Sequence, residues 1–283
     1  MPELAGTVGV VTTTEISQTA LTAAAARAAH LIVDDRPYIF TDPLAETLLG
    51  ERAEELIAYH RLRGEHPVLA GARAQVTCRA RLAEDRATNS GVDQCVILGA
   101  GLDSFAYRTT VHTRVFEADG PATQVWKRER VPAATTEVRY VPVDFERDDL
   151  AAALAEHGFD AGRPAIVSWL GVSMYLTRTG IDRTLSALAT LAAGSEIVLD
   201  YFLPERLRDE RGRLYAELVG PVSAERGEPW RTVLAPDEVT AILAAHGWTA
   251  VDHIGQSDVP ELRDRSDSLR PSTLSMLAHA RRV

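Results

Sequence analysis

Apolar positions along the chain follow two regimes. Up to about residue 90 they recur at helical spacing. Ser17 stands where an N-cap opens a helix through the Ala-rich stretch to about Val33. Asp42-Pro43 predicts a second helix, with Asp as N-cap and Pro at its first position. A third, long helix follows Pro67 and runs to about Asn89. Short apolar runs then take over, at residues 95–98, 114–118, 137–141, 165–169, 196–199 and 249–253. Helical patterns lie between them, at 122–131, 148–157, 178–193 and 236–246. This alternation predicts βαβ units and a doubly wound α/β sheet. Residues 273–280 read as a last strand, antiparallel at or near an edge. Residues 204–230 break the rhythm; charged and partly helical, they suit a lid. The expected layout is a helical extension over 1–90 packed on an α/β domain over 91–283, with 204–230 as lid insertion.

Composition narrows the class. The 283 residues are 46% hydrophobic and 25% charged, which excludes wholesale disorder. Aromatics are only 6%, which favours helices on a buried sheet over a β-sandwich. The net charge of −10 repels phosphate backbones, so nucleic acid is not an expected partner. The Arg-rich stretch 73–86 also holds Glu84 and Asp85, and reads as a solvated helix face. Cys78 and Cys95 fit neither a metal spacing nor a disulfide framework. With no basic-then-apolar leader at the start, a reduced, cytoplasmic setting is expected. No apolar run reaches the roughly 18 residues of a membrane span. Scattered histidines give no paired spacing, so no metal is expected.

The chemistry gathers after the first strand. Gly99-Ala100-Gly101 falls where open parallel sheets bind ligands, although G-x-G also serves a plain tight turn. A dinucleotide fingerprint needs glycine at position 104, which is Ser104, and no P-loop lysine is present. The turn therefore suits a ligand without pyrophosphate. Asp119 ends the second strand 18 positions past Gly101. Its carboxylate suits two ribose hydroxyls, or caps the helix that Gly120-Pro121 opens. Asp144 ends the third strand with Phe145 beside it, suited to an adenine edge and face, or to another helix cap. Together the three features suit a nucleoside without phosphates.

These residues resemble the leucine carboxyl methyltransferase superfamily, especially its bacterial branch acting on polyketides and other small molecules. The signature is Val96-Ile97-Leu98-Gly99-Ala100-Gly101-Leu102-Asp103-Ser104-Phe105-Ala106-Tyr107-Arg108. Further matches are Ser17-x-Thr19-Ala20 with Arg27-Ala28, Phe40-Thr41-Asp42-Pro43-Leu44-Ala45, and Arg79-x-Arg81 with Asp85. Glu117-x-Asp119-x-Pro121 with Lys127, Trp169-Leu170-Gly171-Val172-Ser173-Met174-Tyr175-Leu176, Asp200-Tyr201 and Gly227-Glu228-Pro229-Trp230 follow in order. The resemblance implies a class I methyltransferase with a seven-stranded Rossmann-like sheet that binds S-adenosylmethionine. Carried over, Arg79 pairs with the methionine carboxylate, and Gly99, Ala100 and Gly101 face the methionine part, with Asp103 in the same cofactor-binding set. Asp119 takes the ribose, and Asp144 with Phe145 the adenine. Relatives often carry Glu at the position of Leu170, so that contact is not carried over.

Methyl transfer from a sulfonium is an in-line displacement, and positioning is worth roughly 7–11 kcal/mol. A carboxylate acceptor is already ionised at neutral pH, whereas a phenol needs a base. No histidine stands out as a base beside the expected active face, which favours a carboxylate, as the resemblance does. Tyr175 and Tyr201, after the fourth and fifth strands, are candidates for positioning the acceptor, or pack the crevice wall. Thr19, Ser173, Arg213 and Tyr215 complete the candidate acceptor pocket. Arg108 reads as an ion-pair residue, and Trp169 and Trp230 as core. The competing readings are a phenol or hydroxyl methyltransferase, a protein C-terminal carboxyl methyltransferase, and a cofactor-binding protein or cyclase that lost transfer. A nucleic-acid amino-methylating enzyme would carry Asn/Asp-Pro-Pro-aromatic where this chain has Leu170-Gly171-Val172-Ser173. A homodimer is compatible with each reading.

Overall fold

Local capping sets the helical half of the chain. In a computed structural model, which describes residues 16–283, helix α1 (Gln18–Val33) starts where Ser17 Oγ accepts the Ala20 N–H at 3.1 Å. The signal-peptide expectation falls on residues 1–15, outside the described residues. Helix α2 (Ala45–Leu49) begins later than the Asp42-Pro43 pattern predicts, and no side chain caps it. Asp42 is instead buried, its carboxylate held by Arg27 Nε at 2.9 Å and Ser104 Oγ at 2.7 Å. The same carboxylate still accepts the Leu44 N–H at 3.1 Å and so holds the turn that leads into α2. Helix α3 (Ala53–Arg63) was not predicted. Helix α4 (Pro67–Asn89) matches its expected bounds.

The Arg-rich stretch on α4 is not a solvated face. Arg73 is fully buried and grips Asp34 through Nε at 2.8 Å and Nη2 at 2.9 Å. Nη1 of Arg73 meets His60 Nδ1 at 3.1 Å, and His30 Nδ1 meets the same Asp34 at 2.8 Å. His30 Nε2 accepts the Ile39 N–H at 3.0 Å, so its proton sits on Nδ1 and is donated to Asp34. This network ties α1, α3 and α4 together.

Among the described residues seven strands form one sheet: β1 (Gln94–Leu98), β2 (Arg114–Asp119), β3 (Glu137–Pro142), β4 (Ile166–Trp169), β5 (Glu196–Phe202), β6 (Trp248–Ile254) and β7 (Ser275–Arg282). Their order is β3-β2-β1-β4-β5-β7-β6, with β7 antiparallel to both neighbours and the other pairs parallel. The last strand is therefore antiparallel as read, one place inside the edge. Helices α5 (Pro121–Arg128), α6 (Leu150–Glu156), α7 (Arg178–Leu188), α8 (Glu210–Glu225) and α9 (Pro236–Ala245) fill the connections.

Alternation along the strands builds two apolar layers. Val96, Leu98, Val167, Trp169, Ile197 and Leu199 pack with α6, α7 and α9. Cys95, Ile97, Ile166 and Val198 face the other way, against Leu82, Ala83 and Ala87 of α4. All five residues of β1 are buried, as its unbroken apolar run demands. Chain order reverses between β1 and β4, and a ligand crevice belongs at their carboxyl ends.

Candidate active site at the carboxyl ends of the strands

The turn after β1 is backbone built for close approach. Gly99 has φ +64°, and a Cβ there would lie 2.1 Å from Val172 Cγ2. Gly101 has φ +48°, with the Ala20 methyl of α1 3.3 Å from where its Cβ would stand. Only glycine suits the first position on both counts. The N–H groups of Gly99 and Ala100 donate to the Ala118 carbonyl at 2.8 and 3.2 Å, joining the turn to β2. Asp119, at the end of β2, takes the Gly101 N–H at 2.5 Å and the Gly120 N–H at 2.6 Å. Burial raises its pKa although those two bonds and Lys127 act to lower it. Asp103 takes the Phe105 N–H at 2.8 Å and shapes the next turn.

A second charged group lies below the β4 turn. Asp200 of β5 is fully buried, yet its carboxylate is satisfied. Arg79 Nη1 donates to it at 3.0 Å and the Gly171 N–H at 2.6 Å. Gly171 has φ +71°, and a Cβ there would sit 2.6 Å from Arg79 Nη2. The backbone thus crosses directly over the guanidinium. Ser173 is buried, and its hydroxyl donates to the Asp200 carbonyl at 2.6 Å, so it braces the turn. Leu170 packs into the α4-side apolar layer.

A cover lies above the turn. Glu228, just past α8, reaches back to the start of α1. It accepts from Ser17 Oγ at 2.6 Å, from the Thr19 N–H at 3.0 Å and from the Thr19 hydroxyl. A carboxylate at a helix N-terminus complements the positive end of the helix. Thr19 Oγ1 also stands 3.5 Å from Tyr175 Oη. Burial raises the Tyr175 pKa, so its hydroxyl stays protonated. Tyr175 and Tyr215 pack around Met174, Phe202 and Leu274, together with Trp230, whose ring meets Phe202 edge-on at 4.6 Å. Sequence reading quoted Glu228 in its motif but gave it no role.

The leucine carboxyl methyltransferase family profile matches residues 20–189, which span the glycine turn, Asp119 and Tyr175. The chain belongs to that family. Two relatives cover nearly its whole length. YktD of Bacillus subtilis is 30% identical over 90% of this chain and 94% of its own, and a Mycobacteroides abscessus protein is 32% identical over 88% and 90%. Both are named as S-adenosyl-L-methionine-dependent methyltransferases. A crystal structure of a methyltransferase from Thermobifida fusca covers 96% of each chain with TM-score 0.61 at 18% identity. A DUF574-family protein from Streptomyces avermitilis covers 91% of this chain and 97% of its own, with TM-score 0.58 at 17% identity. These likenesses show the fold, a class I methyltransferase sheet. The protein is an enzyme of the methyltransferase class.

Not every candidate residue of this family member joins the crevice. Tyr201 is a correction: it points to the sheet face opposite Asp200, and its hydroxyl meets His253 Nδ1 at 2.8 Å. Thr240 of α9 holds the other ring nitrogen of His253 at 2.8 Å, so Tyr201 anchors the β6 side of the core. Arg213 is a second correction: it is exposed on α8 and donates to the Arg208 carbonyl at 2.7 Å. Asp144 is exposed at the end of β3, beside Asp119, whose carbonyl accepts the Val143 N–H at 3.0 Å. Its carboxylate takes the Glu146 N–H at 2.9 Å; Asp149, not Asp144, caps α6. Phe145 is half-buried against the α6–α7 layer. Arg108 pairs with Glu84 and with Ser104, as an ion-pair residue should. Among the described residues no helix is long and apolar enough to cross a membrane, and no cluster of His, Cys, Asp and Glu could hold a metal ion.

Proposed function

We propose that this methyltransferase moves a methyl group from S-adenosylmethionine to a carboxylate oxygen of a small molecule, giving a methyl ester. One observation carries the acceptor class: Tyr175 is kept a neutral hydrogen-bond donor by burial, within the field of Arg79. A donor and a cation favour an anionic acceptor that arrives ionised and needs no base. A phenol needs a proton acceptor, and the nearest carboxylates are engaged, Asp200 by Arg79 and Glu228 by Ser17 and Thr19.

The crevice fits the methyl donor. The Gly99 turn, where a side chain would collide with Val172, leaves the backbone open to the methionine part. Asp119 at the end of β2 offers a carboxylate to the ribose, and Asp144 and Phe145 at the end of β3 flank the adenine place. Arg79 is the group for the methionine carboxylate. When bound, S-adenosylmethionine supplies a methyl group on a positively charged sulfur, already activated for displacement by an oxygen. Tyr175 orients that oxygen, and the α1 start, with Thr19 held by Glu228, excludes water from above. A cytoplasmic setting suits the two buried, unpaired cysteines, whose thiols burial pushes up, that of Cys78 to about 12.

The test is a product assay. The protein is incubated with methyl-labelled S-adenosylmethionine and a panel of small carboxylic acids, phenols and peptides with free C-termini. The expected product is a labelled small-molecule ester that releases labelled methanol in mild alkali. Label confined to alkali-stable ethers, or to peptides, would overturn the proposal.

A further inference from the structure

The outer face of α8 is apolar at a spacing that makes it its own complement. Leu214, Leu218 and Val222 are 38%, 47% and 41% exposed and stand at i, i+4 and i+8, one stripe along the helix. The opposite side of α8 faces inward. Gly212 is buried there, Ala216 packs with the Tyr175–Phe202 cluster, and Gly220 backs onto Trp230. Arg211 lies at one end of the same stripe and Glu225 at the other, both exposed. Among the described residues neither is recorded in an ion pair.

We infer that α8 pairs with α8 of a second copy of this chain, antiparallel about a two-fold axis through Leu218. In that register Leu218 meets its own counterpart on the axis, while Leu214 meets Val222 and Arg211 meets Glu225, these two contacts each made twice. Glu210 and Arg226 fall opposite one another at the rim. An isologous contact requires this reciprocity, with attractive charges at both ends of the stripe. The first 15 residues are the other segment that could lie on the stripe; they contain no Lys or Arg and would leave Glu225 unmatched. The contact is one helix face long, so it belongs to the weak class of interfaces.

Sedimentation velocity of the full chain across a concentration series tests the pairing. The expected wild type is a dimer that dissociates on dilution. Leu218→Glu should be monomeric throughout. Arg211→Glu and Glu225→Arg should each weaken the dimer 10-fold or more, and the double reversal should restore it to within a few-fold. All these positions are exposed, and unchanged circular dichroism checks the fold. Should Leu218→Glu misfold, the charge-reversal series decides alone. A wild type that is monomeric at every concentration, whether the stripe is bare or covered by residues 1–15, overturns the inference. So does a dimer that the double reversal fails to restore.

Discussion

Asp119 takes two backbone N–H groups and Glu228 one N–H and two hydroxyls, and their surroundings give the two carboxylates different work. Asp119 braces the Gly101 turn from the end of β2. Glu228 pins the start of α1 above it. Asp119→Ala should lower S-adenosylhomocysteine affinity 10-fold or more, about 1.4 kcal/mol or above, through loss of charge-assisted hydrogen bonds. Glu228→Ala should leave that affinity within about 3-fold but speed both binding and release, because the cover opens more readily. Calorimetry and stopped-flow binding separate the two; unchanged affinity in the first or unchanged rates in the second defeats the respective role. Asp119 was legible because it and Gly101 share one β–turn–β unit. Glu228 was not, since its partners lie 209 and 211 positions away. Tyr201 was misread for a simpler reason. Consecutive strand residues face opposite ways, so once Asp200 points to the crevice Tyr201 cannot.

Among the elements, the dock of α1 and α3 onto α4 turns on a buried cation. Arg73 donates to His60 Nδ1, which requires that imidazole to be neutral. Burial, helped by Arg73, holds the His60 pKa at about 4 against an ordinary 6.5. The unfolded chain therefore binds the extra proton first. Stability from this group is complete above pH 6.5 and lost as pH falls from there toward 4, at up to about 1.4 kcal/mol per pH unit. Guanidinium unfolding at pH 7 and pH 5 should show a smaller pH effect in His60→Gln than in the wild type. An equal effect would remove His60 from the account. Helices α1 and α4 were readable because Ser17 and Pro67 act locally. The role of Arg73 was not: a charged residue on an Arg-rich helix reads as solvated until Asp34, 39 positions back, is seen against it.

For the whole molecule, the parallel strands announced themselves as unbroken apolar runs, but the order that slips β7 between β5 and β6 depends on pairings that no local pattern carries. The same holds for the join between the helical first third and the sheet. The sequence reads residues 1–90 as an extension packed on the sheet domain, without the residues that make the join: α4 is one wall of the sheet's core and its Arg79 pairs with Asp200. A fragment beginning at residue 91 would expose the apolar side of β1, β4 and β5. It would also strand Asp200, fully buried in the intact chain, without its cation. Breaking one buried pair costs about 3–5 kcal/mol, against a total domain stability of about 5–15 kcal/mol. The fragment should therefore lack a sharp near-ultraviolet dichroism spectrum and a cooperative melt, whereas the full chain should unfold in one transition seen alike in the near and far ultraviolet. A fragment that melts cooperatively would show that the sheet is a domain in its own right, with the helices added to it.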